Sequence, residues 1–172
     1  MWINVITDVL GGLLVAIVAG VTTWLLGRHT YRRELEKKEI GGLRRLIGDL
    51  ARKRALVEPQ SLSRVESAGP GHRDFDAVSA SVFNVRNAVD EARLAARDED
   101  SSEVHHILDQ MSLHCNDYLH GSRHDPENYP SQIHVLRVSL IRELGLLRKV
   151  HQELPDDEPG SKAYGAAKHG SS

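Results

Sequence analysis

From Val9 to Leu26 the chain carries no charged residue, and then "GRHTYRRELEKK" follows at once. A membrane-spanning helix needs about 20 mainly apolar residues, with about 17 as the lower bound, whereas a run of roughly 10 to 14 would read as a buried core helix. Nine aliphatic side chains between Leu10 and Leu26 together favour insertion by about 4 kcal/mol, before Gly and Thr oppose them. Trp2 and Trp24 lie one span apart, about 33 Å at ~1.5 Å per helical residue. Each indole thereby meets an interface that suits an apolar ring with a polar N–H.

The flanks set the expected orientation. "MWINVITD" has no Lys or Arg and contains Asp8, which is unlike the basic start of a cleaved secretory signal. Arg28, Arg32 and Arg33 crowd the other end, the positive-inside pattern of a segment whose C-terminal side stays in the cytoplasm. Residues 1–27 are therefore expected to be a permanent signal-anchor in the cell membrane, N-terminus outside, with Trp2, Trp24, Arg28, Arg32 and Arg33 at the interfaces. Gly12, Ala16 and Gly20 recur every fourth residue, a small-residue ridge that lets two anchor helices approach closely. A homodimer through that ridge is the matching expectation.

Residues 28–57 read as a basic juxtamembrane helix; from Arg28 to Glu58 there are ten Lys/Arg against five Asp/Glu, a local net of +5 within a chain of net −2. Beside a bilayer such charge faces anionic head groups, at about 1 kcal/mol per Lys or Arg near the surface. The expected partners are thus the lipid bilayer and an unknown cytosolic protein, with no nucleic acid. Cys115 is the lone cysteine, so no intrachain disulfide forms, as suits a reducing compartment. Arg outnumbers Lys, 16 to 6, a bias expected of a GC-rich bacterial coding sequence; with the anchor, the expected location is the inner membrane.

Beyond the anchor the apolar pattern is helical throughout. Ile40, Leu43, Ile47, Leu50 and Val57 mark the juxtamembrane helix, with Gly41-Gly42 as an expected weak point. Phe75, Val78, Val82, Val85, Val89, Ala92 and Ala96 alternate three-four over three heptads, a coiled-coil-like seam for which Asp74 is the expected N-cap. Ile107, Leu108, Met111, Cys115, Tyr118 and Leu119 make a second stripe, with Ser102 expected to cap it. "HGSRHDPENYP" is expected to break that helix. Ser131 should cap a last one carrying Ile133, Leu136, Leu140, Leu144, Leu147 and Leu154. No strand-length period-two alternation occurs. The fold class is all-α: a single N-terminal transmembrane helix, then a cytoplasmic antiparallel bundle of three to four helices, with the bundle proper at 72–154. Residues 155–172 are short of large apolar side chains and are expected to be a disordered tail.

Catalytic motifs are missing from the sequence: no GxxxxGK[ST], no GxSxG and no CxxC. In "EVHHILDQMSLHCNDYLH" no two histidines stand at i, i+4, the spacing by which one helix offers two imidazoles to a metal. His120 and His124 do, but the expected break lies between them. His114 and Cys115 diverge by about 100° on a helix, which does not suit a thiolate–imidazole pair. Neither a metal, a cofactor nor a catalytic residue is expected. The chain reads as a non-catalytic interaction or scaffold module. Phe83, Leu113, Val138 and Leu146, apolar residues off the stripes, are the candidate partner surface. The alternatives are a self-associating effector that permeabilises the bilayer and, third, a helical metal-dependent hydrolase.

Overall fold

The computed structural model describes residues 24, 27, 28, 30, 31, 33–57, 70, 71, 73–96 and 101–163. Their regular structure is all helical, with no strand among them. The chain divides into two compact units, Met1–Lys37 and Lys38–Ser172. In the first, residues 24, 27, 28, 30, 31 and 33–37 are helical. The Arg28 guanidinium lies 5.5 Å from the centre of the Trp24 ring, a cation–π contact one helical turn apart. Among the described residues no helix is long and apolar enough to cross a membrane. The Val9–Leu26 run lies outside them except for Trp24, and so do Trp2, Gly12, Ala16, Gly20 and Arg32.

In the second unit, α1 (38–52) leads into a 3-10 turn at Arg54–Leu56, followed by α2 (Arg73–Ala95), α3 (Ser102–His124) and α4 (Tyr129–Val150). Helix α3 lies between α2 and α4, and short connections on either side of it make neighbours antiparallel. The three-four seam of α2 faces inward: Phe75, Val82, Val85, Val89, Ala92 and Ala96 are buried, and Val78 packs partly against the core. Leu43, Ile47 and Leu50 from α1, Leu108, Met111 and Cys115 from α3, and Leu140, Leu144 and Leu147 from α4 complete one continuous core. The seam is thus used within the bundle.

Several local expectations are corrected. Gly42 is a contact point within α1, because a Cβ there would come within 2.8 Å of the Ala95 Cβ; its bare Cα lets α1 and α2 approach closely. Helix α2 starts one residue before Asp74, and the Asp76 carboxylate accepts from the Gly71 N–H at 3.4 Å. Ser101, not Ser102, precedes α3, and its hydroxyl makes no capping bond. Helix α3 continues through "HGSRH" to His124, so His120 and His124 share a helix after all. Pro130 sits in the first turn of α4, where a missing N–H costs nothing, and Ser131 is therefore internal. A 3-10 turn at Pro126–Asn128 joins the two helices.

The largest departure concerns residues 155–163, expected to belong to a disordered tail. They form a strap over the end of α1. The N–H groups of Gly160 and Lys162 donate to the Leu50 and Ala51 carbonyls at 3.0 and 2.9 Å, at a helix end where the last carbonyls lack i+4 donors; the Leu50 carbonyl also accepts from the Lys53 N–H at 3.2 Å. Helix α4 holds the strap through arginines: Arg148 donates to the Pro155 and Asp157 carbonyls at 3.1 and 2.7 Å. Arg137 bridges the Leu56 carbonyl at 3.0 Å and Glu158 at 3.2 Å. Apolar composition is a poor guide here because backbone polar groups make the contact.

Burial pushes the Cys115 thiol up to about 12, with Arg86 pulling it down and Asp90 raising it further. Burial likewise pushes the Tyr118 phenol up to about 12. Both groups hold their protons to higher pH folded than unfolded. Their stabilising contribution is complete below about pH 9 and 10 and declines as pH climbs toward 12, by about 1.4 kcal/mol per pH unit for each group. A pH titration followed by circular dichroism should show loss of stability setting in above pH 9. In Cys115→Ala the decline should begin about one pH unit later.

Candidate functional site

The bundle contains two polar constellations that its apolar pattern does not announce. The first is a buried carboxylate. Glu39 is 5% exposed; its Oε2 accepts from the Ser101 hydroxyl at 2.6 Å and its Oε1 pairs with His151 Nε2 at 2.9 Å. One side chain of α1 thereby joins the start of α3 to the end of α4. Ser, His and Glu are also the residue types of a hydrolase triad, but the order differs. Here the carboxylate stands between the other two, and no imidazole lies within hydrogen-bond distance of the Ser101 hydroxyl among the described residues. A nucleophile needs its base in contact. The group is a three-helix tie.

The second is a cleft of about 320 Å3 between α3 and α4. Gly121 is part of its lining, and a Cβ there would stand 3.1 Å from Gln132 Oε1. Leu136 and the Tyr118 ring form apolar walls, Val135 stands at its edge, and Asp117, Gln132 and His114 supply polar groups. Gln132 Nε2 donates to the Asp125 carbonyl at 3.2 Å, which fixes the amide orientation and leaves Oε1 buried with no hydrogen-bond partner among the described residues. Arg142 donates to Glu143 at 2.8 and 3.1 Å, and its Nη2 lies 3.3 Å from His114 Nε2. Since a guanidinium only donates, Nε2 accepts in this arrangement. Glu143, 3% exposed, balances the Arg142 charge.

Beneath the cleft, the Tyr118, Ser79 and Ser122 oxygens are buried and none makes a well-formed hydrogen bond among the described residues. An unpaired buried hydroxyl costs about 1–3 kcal/mol.

Phe83, Leu113, Val138 and Leu146 are all exposed. At about 100° per residue, Val138 and Leu146 share one side of α4 with Arg142 and Val135, and Leu113 faces outward from α3. Val135 and Leu94, 63% and 60% exposed, are further apolar side chains of this kind that the sequence reading overlooked. Val135 lies next to the stripe residue Leu136, and Leu94 next to the end of α2, so neither stood out. No group of three or more His, Cys, Asp or Glu able to hold a metal occurs among the described residues. Trp24 and Arg33 are exposed. Comparison of the chain with family models, curated proteins and solved structures finds no match.

Proposed function

We propose that the chain is a single-pass, N-out membrane protein whose anchor displays the helical bundle at the cytoplasmic face of the cell membrane, as a non-catalytic interaction or scaffold module. The uncharged run from Val9 to Leu26, ended by Arg28, Arg32 and Arg33, carries this reading. An anchor confines the bundle to a surface and raises its local concentration there, so that modest partner affinity suffices. Exposed apolar side chains on α2, α3 and α4, among them Phe83, Leu113, Val138 and Leu146, support a partner surface on the helices.

The Gly12/Ala16/Gly20 ridge favours a second reading, in which anchors associate and permeabilise the bilayer. Crosslinking and pull-down of the full chain from native membranes separates the two when run beside a Gly12→Leu, Ala16→Leu, Gly20→Leu variant. The module reading predicts a defined cytosolic partner that the variant retains. Recovery of self-crosslinked chain alone, lost in the variant and accompanied by membrane depolarisation on expression, would replace it with the effector reading.

A further inference from the structure

We infer that the cleft between α3 and α4 binds an organic ammonium, a protonated amine on an apolar stem. Three features point there. Gln132 Oε1 is a buried acceptor with no donor among the described residues, its orientation fixed by the bond from Nε2 to the Asp125 carbonyl. Asp117 lines the same cleft and makes no ion pair or hydrogen bond among the described residues, while the Arg142 charge is balanced by Glu143. The cleft therefore has one solvated carboxylate without an ionic partner, Asp117, and, just beneath its surface, one acceptor without a donor, Gln132 Oε1. Leu136, Val135 and the Tyr118 ring offer apolar surface for a stem.

The chemistry follows. A carboxylate ligand would face Asp117 and leave Gln132 Oε1 without a donor. A neutral apolar ligand would cover the exposed Asp117 carboxylate unpaired and leave Gln132 Oε1 still without a donor, which is costly. An ammonium supplies three donors on a compact head, and a charge-assisted bond is about twice as strong as a neutral one. At about 320 Å3 the cleft matches the small end of ligand sites, enough for one ring or a four-carbon chain. A free amine and a lysine side chain of another protein present the same head and stem. The site does not depend on the membrane reading, since all its residues belong to the bundle.

The test is a titration of the isotope-labelled full chain in detergent micelles, followed by NMR shifts at Gly121 and the Gln132 side-chain amide. Phenethylammonium should give saturable shifts there; phenethyl alcohol and phenylacetate should bind at least about tenfold more weakly, the difference expected for one charge-assisted bond. Asp117→Asn, a change at an exposed position, should weaken phenethylammonium about tenfold while leaving the spectrum otherwise folded. Gln132→Met should weaken it as well. A blocked peptide, acetyl-Leu-Lys-Leu-amide, separates the sources. Tighter binding than phenethylammonium, with added shifts at Leu113 and Val138, indicates a lysine of a partner protein; weaker binding indicates a free amine. Equal binding of amine, alcohol and acid, or full binding to Asp117→Asn, overturns the inference.

Discussion

Glu39→Ala is expected to lower the stability of the bundle by about 3 kcal/mol, the scale for losing two buried hydrogen bonds to one carboxylate and leaving their partners unsatisfied. The substitution leaves the Ser101 hydroxyl and the His151 imidazole without the acceptor they share at 2.6 and 2.9 Å. The loss spans three helices, since α1, the start of α3 and the end of α4 all meet at this carboxylate. Glu39→Gln supplies the control. Its amide oxygen accepts from Ser101, and its NH2 donates to His151 in the neutral tautomer that leaves Nε2 free. The cost should then fall to about 1 kcal/mol or less. Chemical denaturation of the full chain measures both. Equal losses for Ala and Gln would show that the tie contributes packing and not hydrogen bonds.

Gly160→Ala should have the next largest effect. Gly160 has φ +79°, a conformation that costs a side-chain-bearing residue about 1–2 kcal/mol. The added Cβ would also lie 2.5 Å from the Leu56 carbonyl oxygen, and that carbonyl is held by Arg137 at 3.0 Å. Backbone cannot yield there without releasing the strap. The donors to Leu50 and Ala51 would go with it, at about 1 kcal/mol each. A loss of about 2–4 kcal/mol is expected, with faster amide exchange at Gly160 and Lys162 than in the parent chain. Unchanged protection at those two amides would contradict this account of the strap.

Periodicity made the bundle legible. The α2 seam from Phe75 to Ala96, with Val78 only partly covered, the Met111 and Cys115 stripe and the Leu140, Leu144 and Leu147 stripe face the core as their spacing implies, because burial of a helix face leaves a direct imprint at 3.6 residues per turn. Polar contacts leave no such imprint. Glu39 reads as one more acid among the basic residues of the juxtamembrane stretch, and only the meeting of three distant segments shows it to be buried. The strap was invisible for a similar reason: its bonds to Leu50 and Ala51 use backbone N–H groups that every residue but proline has. Pro130 and "HGSRH" misled because a proline that excludes a helix interior is welcome in a first turn. Within the cleft, the close approach of Gly121 to Gln132 acquires meaning only once α3 and α4 are packed together.

The central proposal is the placement of the bundle at the cytoplasmic face by an N-terminal anchor. Its most direct test is labelling with a membrane-impermeant maleimide of two full-length variants, Asn4→Cys and Ser171→Cys, each in a Cys115→Ala background. The predicted result is that both remain in the membrane fraction, with Asn4→Cys labelled in intact cells and Ser171→Cys labelled only in inside-out vesicles. Labelling of Ser171→Cys in intact cells, or recovery of the chain in the soluble fraction, would contradict it.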